Sequence, residues 1–262
     1  MGSSSIQSQL WGQYPQDWST IQEATSLAGY EFVLAHLRLK DAADSLLDVG
    51  CGSGLFASLA AKKGFDVTGL DATPLLIEEA KKRAPSLRFL TGDMEELPFE
   101  DNSFGIVRGF NSFQYAASVL NALTEARRVL KPCGQLAVMI WGNKEDCDAA
   151  TYLKAVGSLL PPPPPGAGGP FALTENQLLE KTLASAGLNI TSNTDIPTIW
   201  DYPDMDTAMK GLLSAGPAVK AIQHSGYDKA YATVLAAATP YTQSNGHVVY
   251  HNKVRIVLAE KR

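Results

Sequence analysis

The sequence contains few cysteines and no long apolar run. Its three cysteines, Cys51, Cys133 and Cys147, form no Cys-x-x-Cys pair, which argues against both a disulfide framework and a zinc site. Its apolar stretches are shorter than the roughly 18 residues that a membrane-spanning helix requires. Residues 1–18 lack the basic start and the apolar core of a signal peptide. We therefore expect a cytoplasmic protein that has no metal site and does not insert into a membrane.

Basic side chains are outnumbered and do not form a stripe. The chain has 22 Lys and Arg against 27 Asp and Glu, a formal net charge of −5. Its longest basic run, Lys81 to Arg83, ends a predicted helix, where cations complement the helix dipole. Because binding to a phosphate backbone requires a basic surface, nucleic acid is not an expected partner. With 262 residues, 45% of them hydrophobic, the chain can build a full core as one large domain or as one domain with an insertion.

Apolar strands alternate with amphipathic helices in the first half of the chain. Strands are predicted at 45–49, 65–71, 87–93, 104–110 and 135–141, and helices at 22–40, 55–63, 74–84 and 119–130. Such alternation is typical of a parallel sheet that is covered by helices on both faces.

The pattern changes after residue 141. The sequence PPPPPGAGGP (161–170) predicts a stiff polyproline II segment that acts as a hinge. A Thr174/Gln177 capping box predicts the start of a helix over 174–187. The remaining predicted elements are a strand within 188–202, Ala-rich helices over 203–240 and a long final strand over 247–261.

A glycine-rich turn joins the first predicted strand to the helix that follows. It reads Asp48-x-Gly50-x-Gly52-x-Gly54, and such turns bring a ligand close to the backbone and to a helix N-terminus. A dinucleotide fingerprint would need a third Gly or Ala where this chain has Leu55. A phosphate loop would need Gly-Lys-Ser/Thr, which the chain does not contain. The turn alone is a weak signal, since it could serve only to reverse the chain.

Acidic residues close the next two strands, and the combined pattern resembles a known family. Asp71 ends the second strand, and Gly92-Asp93-Met94 ends the third. Together with the turn, they resemble the cofactor motifs of the class I S-adenosylmethionine-dependent methyltransferases. The resemblance includes EARRVLKPCGQLAV (125–138) and is good over residues 40–141, but weaker over 174–187 and the last strand. Its pattern is most similar to the small-molecule, quinone-biosynthesis-like branch of that superfamily.

The resemblance implies both a fold and a division of the chain. The implied fold is an α/β, Rossmann-like sheet of seven mostly parallel strands, with helices on both faces, an antiparallel last strand and a helical cap. The implied division is an N-terminal helical lid at 1–40, a cofactor-binding core at 41–202, the cap at 203–245 and a final core strand at 246–262.

The resemblance also implies S-adenosylmethionine as cofactor and S-adenosylhomocysteine as product. Asp71 would bind the ribose hydroxyls, since a carboxylate accepts two hydrogen bonds from a vicinal diol. Asp93 and Met94 would bind the adenine, and a carbonyl of Gly109 or Phe110 would accept from the cofactor's amino group. Trp18 would either stabilise the sulfonium by cation–π attraction or simply dock an ordinary helix. The predicted cofactor-binding residues are Asp48, Gly50, Cys51, Gly52, Gly54, Asp71, Ala72, Asp93, Met94, Gly109, Phe110 and Trp18.

The residues that would hold a substrate are less sharply defined. Asn111 and Gln114 follow the fourth strand, beside the expected sulfonium, where they could orient a substrate oxygen or nitrogen; alternatively, this segment is core and turn only. His224, in the predicted cap, is the candidate for a general base. Where the family often begins its fourth strand with Phe-Asp, this chain has Phe104-Gly105, which weakens a nucleic-acid role further.

The sequence therefore predicts an enzyme that methylates O, N or C of a small-molecule metabolite or natural product. Two alternatives stay open. One is an enzyme of the same fold that binds the cofactor without transferring methyl, and the other is a non-catalytic cofactor-binding module. The sequence is also compatible with a homodimer.

Overall fold

One sheet of seven strands runs through the molecule. The structure, a computed structural model, describes residues 3–37, 45–162 and 168–262. The strands are β1 (Ser45–Val49), β2 (Asp66–Asp71), β3 (Arg88–Thr91), β4 (Phe104–Phe110), β5 (Leu130–Trp141), β6 (Leu188–Tyr202) and β7 (Val248–Lys261). Their order in the sheet is β3-β2-β1-β4-β5-β7-β6.

The strand directions bring the carboxyl ends of β1 to β6 to one edge of the sheet. Strands β1 to β5 pair in parallel, and β7 runs antiparallel to both of its neighbours, β5 and β6. This confirms the predicted Rossmann-like, mostly parallel sheet with an antiparallel last strand. Because β1 leads directly into the glycine turn, this edge is where such a sheet offers a ligand site.

Helices cover both faces of the sheet. They are α1 (Ser4–Trp11), α2 (Pro15–Asp17), α3 (Leu27–His36), α4 (Leu55–Lys62), α5 (Pro74–Arg83), α6 (Val119–Val129), α7 (Ala149–Ser158), α8 (Leu178–Ser185), α9 (Met205–Ser214), α10 (Gly216–Ser225) and α11 (Tyr227–Ala238). One core cluster packs α6 and α8 onto one face through residues such as Leu123 and Leu183. A second packs α3, α4 and α5 onto the other face through Val33, Phe56 and Ile77.

The N-terminal segment is less regular than its apolar spacing predicts. A π-helical turn at Trp18–Gln22 and a 3₁₀ turn at Glu23–Ser26 precede α3, where a continuous helix over 22–40 was predicted. The last residues of that prediction, 38–40, lie outside the described residues. Short π-helical turns are uncommon and occur frequently at functional sites.

A third core cluster forms at the carboxyl edge, between the sheet and the helices α9, α10 and α11. Helix α7, which the sequence did not predict, belongs to this cluster and contacts both α10 and α11. The buried hydroxyl of Tyr152 on α7 donates to the carbonyl of Leu212 on α9 at 2.6 Å. In the predicted division α7 lies in the core, whereas in the structure it packs with the cap helices.

The predicted capping box is wrong. The Thr174 hydroxyl donates to the carbonyl of Trp141 at 2.6 Å, because this buried threonine lies against the end of β5. Gln177 has a φ of +56°, and α8 begins after it at Leu178. The centre of the predicted polyproline hinge, 163–167, lies outside the described residues. Within the ranges that the structure describes, no helix is both long enough and apolar enough to cross a bilayer.

Candidate active site

A cavity lies at the carboxyl edge of the sheet, between the glycine turn and the N-terminal segment. It encloses about 750 Å³, counting its opening to solvent, a size that is typical of small-molecule sites. Its wall comes from the segment that carries α1 to α3, from the turn after β1, and from the ends of β2, β3 and β4. Nine predicted site residues lie on this wall: Trp18, Gly50, Cys51, Gly52, Asp71, Ala72, Met94, Phe110 and Asn111.

The glycine turn has a backbone conformation that glycine adopts readily and other residues do not. Gly50, Gly52 and Gly54 have φ values of +70°, +54° and +77°, all in the left-handed region. A side-chain carbon at Gly50 would lie 2.4 Å from Ser112 Cβ, and one at Gly54 would lie 2.9 Å from Ala80 Cβ. Gly54 therefore packs against α5, and the structure does not bring this predicted cofactor residue to the cavity wall.

The carboxylate of Asp71 ties the glycine turn to the end of β2. Its Oδ2 accepts from the Gly52 N–H at 2.9 Å, and its Oδ1 accepts from the Thr73 N–H at 2.8 Å. Burial raises the pKa of the Asp71 carboxyl, and the two backbone donors oppose that shift. The Thr73 side chain also bonds this carboxylate, so one of its four acceptor sites stays free for a ligand hydroxyl in the cavity.

Asp48 lies beneath the cavity and not on its wall. It faces Arg108 on the neighbouring strand, and the two side chains form a buried ion pair. Burial raises the pKa of Asp48 to about 6, although the guanidinium opposes the shift. The guanidinium carbon lies 4.2 Å from the ring centre of Phe56 and 4.5 Å from that of Phe110. Asp48 therefore holds Arg108 in place, and Arg108 in turn packs against the Phe110 ring of the cavity wall.

The buried partner Arg108 was not predicted from the sequence. A signal for it exists, because Arg108 is the one charged residue in the apolar strand FGIVRGF (104–110). A charged side chain at such a position requires a buried partner of opposite charge, and Asp48 on β1 supplies it.

Aromatic side chains of the lid, residues 3–37 in the structure, close one side of the cavity. Trp11 packs edge-on against both Trp18 and Tyr115, with ring centres 4.7 and 5.4 Å away, and all three rings lie on the wall. Trp11 Nε1 donates to Gln7 Oε1 at 3.1 Å. Trp18 Nε1, in contrast, is buried without a hydrogen-bond partner among the described residues. A buried donor of this kind that faces a ligand cavity is a candidate for pairing with the ligand.

Arg83, at the end of α5, holds the lid against the glycine turn. Its Nη1 donates to Glu23 Oε2 and, at 2.7 Å, to the Ser53 carbonyl. Its Nη2 donates to the Ser19 carbonyl at 2.7 Å. Burial raises the pKa of the Glu23 carboxyl, and the Arg83 charge opposes that shift. The contact between Arg83 and Glu23 was not predicted, because the two residues are 60 positions apart in the sequence. The position of Arg83 at a helix end already accounted for its charge.

Two predicted cofactor residues at the ends of β3 and β4 do not reach the wall. Asp93 Oδ1 accepts from the Glu95 N–H at 2.9 Å and so shapes the turn after β3, while the adjacent Met94 lies on the wall. A side-chain carbon at Gly109 would lie 2.3 Å from the Phe113 ring. Gly109 therefore permits close packing of that ring on β4.

The three predicted catalytic residues are not brought together. Asn111 lies on the wall with a φ of +49°, held by its N–H bond to the Met139 carbonyl at 2.8 Å. Gln114 lies in the 3₁₀ turn that follows and does not line the cavity. His224 is exposed on α10, with its Nδ1 2.8 Å from the Leu159 carbonyl. Of the three, only Asn111 is placed to contact a ligand.

The chemistry of the wall fits S-adenosylmethionine. Asp71 offers a charged acceptor for a ribose hydroxyl, and Gly52 exposes backbone in place of a side chain. The orphaned Trp18 N–H offers one further donor. The aromatic rings of Trp18 and Phe110 suit a positively charged sulfonium, which the faces of such rings attract.

Comparison with known proteins gives the same assignment. Residues 47–138 match the family model described as a methyltransferase domain. The chain is similar to malonyl-[acyl-carrier protein] O-methyltransferase from Serratia marcescens, with 25% identity over 228 residues that cover 83% of this chain and 82% of that protein. It is similar to demethylmenaquinone methyltransferase from Chlorobaculum tepidum, with 39% identity over 90 residues that cover 34% of this chain and 37% of that protein. The second alignment thus spans well under half of that relative's length.

Solved structures share the fold. The YcgJ protein from Bacillus subtilis aligns with a TM-score of 0.59 and 20% identity, over 90% of this chain and 99% of that chain. The [4+2]-cyclase SpnF aligns with a TM-score of 0.58 and 22% identity, over 92% of this chain and 82% of that chain. At these identities the likeness shows the fold alone, and a fold does not fix its chemistry. The family match over residues 47–138 and the glycine turn with its acidic partner Asp71 agree that this part of the chain is similar to S-adenosylmethionine-dependent methyltransferases.

Proposed function

We propose that the protein transfers the methyl group of S-adenosylmethionine to an O, N or C atom of a small molecule with a largely apolar body. The observation that carries this proposal is the single cavity shared by the glycine turn and the aromatic lid. Its wall combines the polar anchors of a nucleoside site with the apolar side chains of Trp11, Leu76, Met94 and Tyr115. The names of the two relatives, an O-methyltransferase and a quinone methyltransferase, support a small acceptor group.

Each part of the cofactor has a proposed partner on the wall. Asp71 accepts hydrogen bonds from the ribose hydroxyls, and the exposed backbone of Gly50 and Gly52 lies along the amino-acid end. Met94 packs beside the adenine. Phe110 and the lid exclude water from the reacting centre, where the bound cofactor supplies an electrophilic methyl group.

The acceptor must react without a strong base from this wall. Its titratable side chains are the carboxyls of Glu23 and Asp71, the phenols of Tyr30 and Tyr115, and the thiol of Cys51. Burial raises the pKa of all five, that of Tyr115 to about 12, so the phenols and the thiol stay protonated at neutral pH. The two carboxyls are engaged by other groups, Asp71 by the glycine turn and Glu23 by Arg83 and Ser53. The wall therefore works by aligning acceptor, methyl and sulfur, and it suits a nucleophile that is already ionised or is a neutral amine.

A turnover assay tests this proposal. The protein is incubated with S-adenosylmethionine and, separately, with carboxylic acids, quinols and amines of low polarity, and S-adenosylhomocysteine and methylated product are measured by mass spectrometry. Release of S-adenosylhomocysteine that depends on one acceptor class supports methyl transfer and identifies that class. Tight cofactor binding without turnover for any class would favour the alternative of an enzyme that retains the cofactor for other chemistry. The cytoplasmic location and the homodimer stay predictions.

A further inference from the structure

Glu23 is a buried carboxylate on the cavity wall that the nucleoside site does not use. It is 3% exposed, and its Oε2 is fully engaged, since it accepts from both the Ser53 hydroxyl and Arg83. Its Oε1 has one long contact, from the Leu55 N–H at 3.4 Å. Because a carboxylate oxygen accepts two hydrogen bonds of normal length, Oε1 retains acceptor capacity toward the cavity.

This oxygen and the orphaned Trp18 N–H flank the same backbone position. A side-chain carbon at Gly52 would lie 3.1 Å from Glu23 Oε1 and 3.3 Å from Trp18 Nε1. The acceptor and the unpaired donor are therefore neighbours on the part of the wall beside Gly52. The two groups come from consecutive turns of the irregular segment at Trp18–Ser26, which Arg83 fixes through Ser19 and Glu23.

The charges around this part of the wall suit a cation, and the unpaired Trp18 N–H suits an anion beside it. The wall residues that the structure describes include two carboxylates, Glu23 and Asp71, and no Lys, Arg or His. Because Arg83 and Ser53 engage Oε2, Oε1 is the oxygen that stays available to a ligand. An ammonium would find its acceptor at Oε1, and an adjacent carboxylate would find a donor at Trp18 Nε1.

We propose that Glu23 and Trp18 together bind the amino-acid end of S-adenosylmethionine, with Glu23 Oε1 accepting from the α-ammonium and Trp18 Nε1 donating to the α-carboxylate. This inference rests on the proposed function, because it takes that cofactor as the ligand. Arg83 and Ser53 act as positioning residues, since they hold Oε2 and so aim Oε1 at the cavity. In this arrangement the lid binds the charged groups of the amino-acid end, which lies along the glycine turn.

The test compares two ligands by calorimetry: S-adenosylhomocysteine and 5′-methylthioadenosine, which has the nucleoside and sulfur but no amino-acid end. For Glu23→Gln we expect a loss of affinity for S-adenosylhomocysteine of about tenfold to a hundredfold, the range for a buried hydrogen bond to a charged group. Affinity for 5′-methylthioadenosine is expected to stay unchanged. Trp18→Phe should show the same selectivity with a smaller loss.

Two variants serve as matched controls. Glu31→Gln removes an exposed carboxyl from the same lid and should change neither affinity. Trp11→Phe removes an indole N–H that is already paired with Gln7, so any effect should be equal for the two ligands. If Glu23→Gln does not fold, Trp18→Phe carries the test, because its N–H has no partner among the described residues.

The outcomes separate this inference from the assignment of the cofactor. If the wild-type protein binds both ligands and Glu23→Gln weakens both equally, Glu23 only docks the lid and the inference is overturned. Unchanged affinity for S-adenosylhomocysteine in the folded Glu23→Gln and Trp18→Phe proteins overturns it as well. If the wild-type protein binds neither ligand, the proposed function fails first, and this inference fails with it.

Discussion

The bonding of Asp71 leads to the prediction that we develop most fully. Both carboxylate oxygens hold a backbone N–H, one from the glycine turn and one from the start of α5. Asp71→Asn keeps the size of the side chain but leaves a single acceptor oxygen. The amide NH₂ group must then face one of the two backbone donors, so that donor loses its partner.

The expected magnitude follows from this count. A hydrogen bond to a charged group contributes about 1.5–3 kcal/mol, and a buried unpaired donor costs a similar amount. Because Asp71 is only partly buried, we expect the free energy of unfolding to fall by about 2 kcal/mol. One ribose hydroxyl also loses its charged acceptor, so affinity for S-adenosylhomocysteine should fall by roughly tenfold to a hundredfold, or about 1.4–2.8 kcal/mol.

Two measurements check this prediction, urea denaturation for stability and calorimetric titration for affinity. Asp66→Asn is the matched control, because Asp66 is an exposed residue at the start of the same strand, and it should change neither quantity. A folded Asp71→Asn protein with wild-type affinity would refute the placement of the ribose. Wild-type stability would refute the role of Asp71 in holding the glycine turn.

Three further predictions concern single residues of the site. Gly52→Ala places a side chain at a φ of +54°, with its carbon 3.1 Å from Glu23 Oε1. We expect this variant to lose about 1–2 kcal/mol of stability in urea denaturation and to bind S-adenosylhomocysteine more weakly. An unchanged denaturation midpoint would contradict the left-handed turn. Gly109→Ala places a carbon 2.3 Å from the Phe113 ring and should cost about 1–3 kcal/mol in the same measurement; an unchanged midpoint would contradict the close packing of that ring on β4. His224→Ala should leave cofactor affinity and turnover unchanged, because His224 is exposed and bonded to the Leu159 carbonyl. A loss of turnover at wild-type affinity would restore it as a catalytic candidate.

Local patterns predicted most of the sheet and nine of the residues that line the cavity. The strands β1 to β5 and the glycine turn carry their signals within a few neighbouring residues, as apolar runs and as glycines that need a positive φ. Asp71 was recognisable because it closes a strand, and the end of a strand in such a sheet faces the ligand.

The parts that were missed depend on contacts between distant residues. Arg83 reaches Glu23 and Ser53 only because α5 and the lid meet at the glycine turn, a fact that no window of neighbouring residues contains. Thr174 precedes a helix in the sequence and was therefore predicted to cap it. In the structure its hydroxyl donates instead to the carbonyl of Trp141 at the end of β5. For the same reason the ion pair of Asp48 with Arg108 on the neighbouring strand was not predicted.

The contact of Trp11 with the cap connects the choice of methyl acceptor to the position of the lid. The Trp11 indole packs closely on Gly216 of α10, where a side-chain carbon would lie 2.7 Å from the ring. The same indole also packs against the Tyr115 ring. Lid and cap therefore meet beside the cavity, at this contact among others. We expect a substitution in the cap that admits a bulkier acceptor to displace Trp11 and, through it, the lid. Acceptor range and the rate of product release are expected to vary together across variants of this chain.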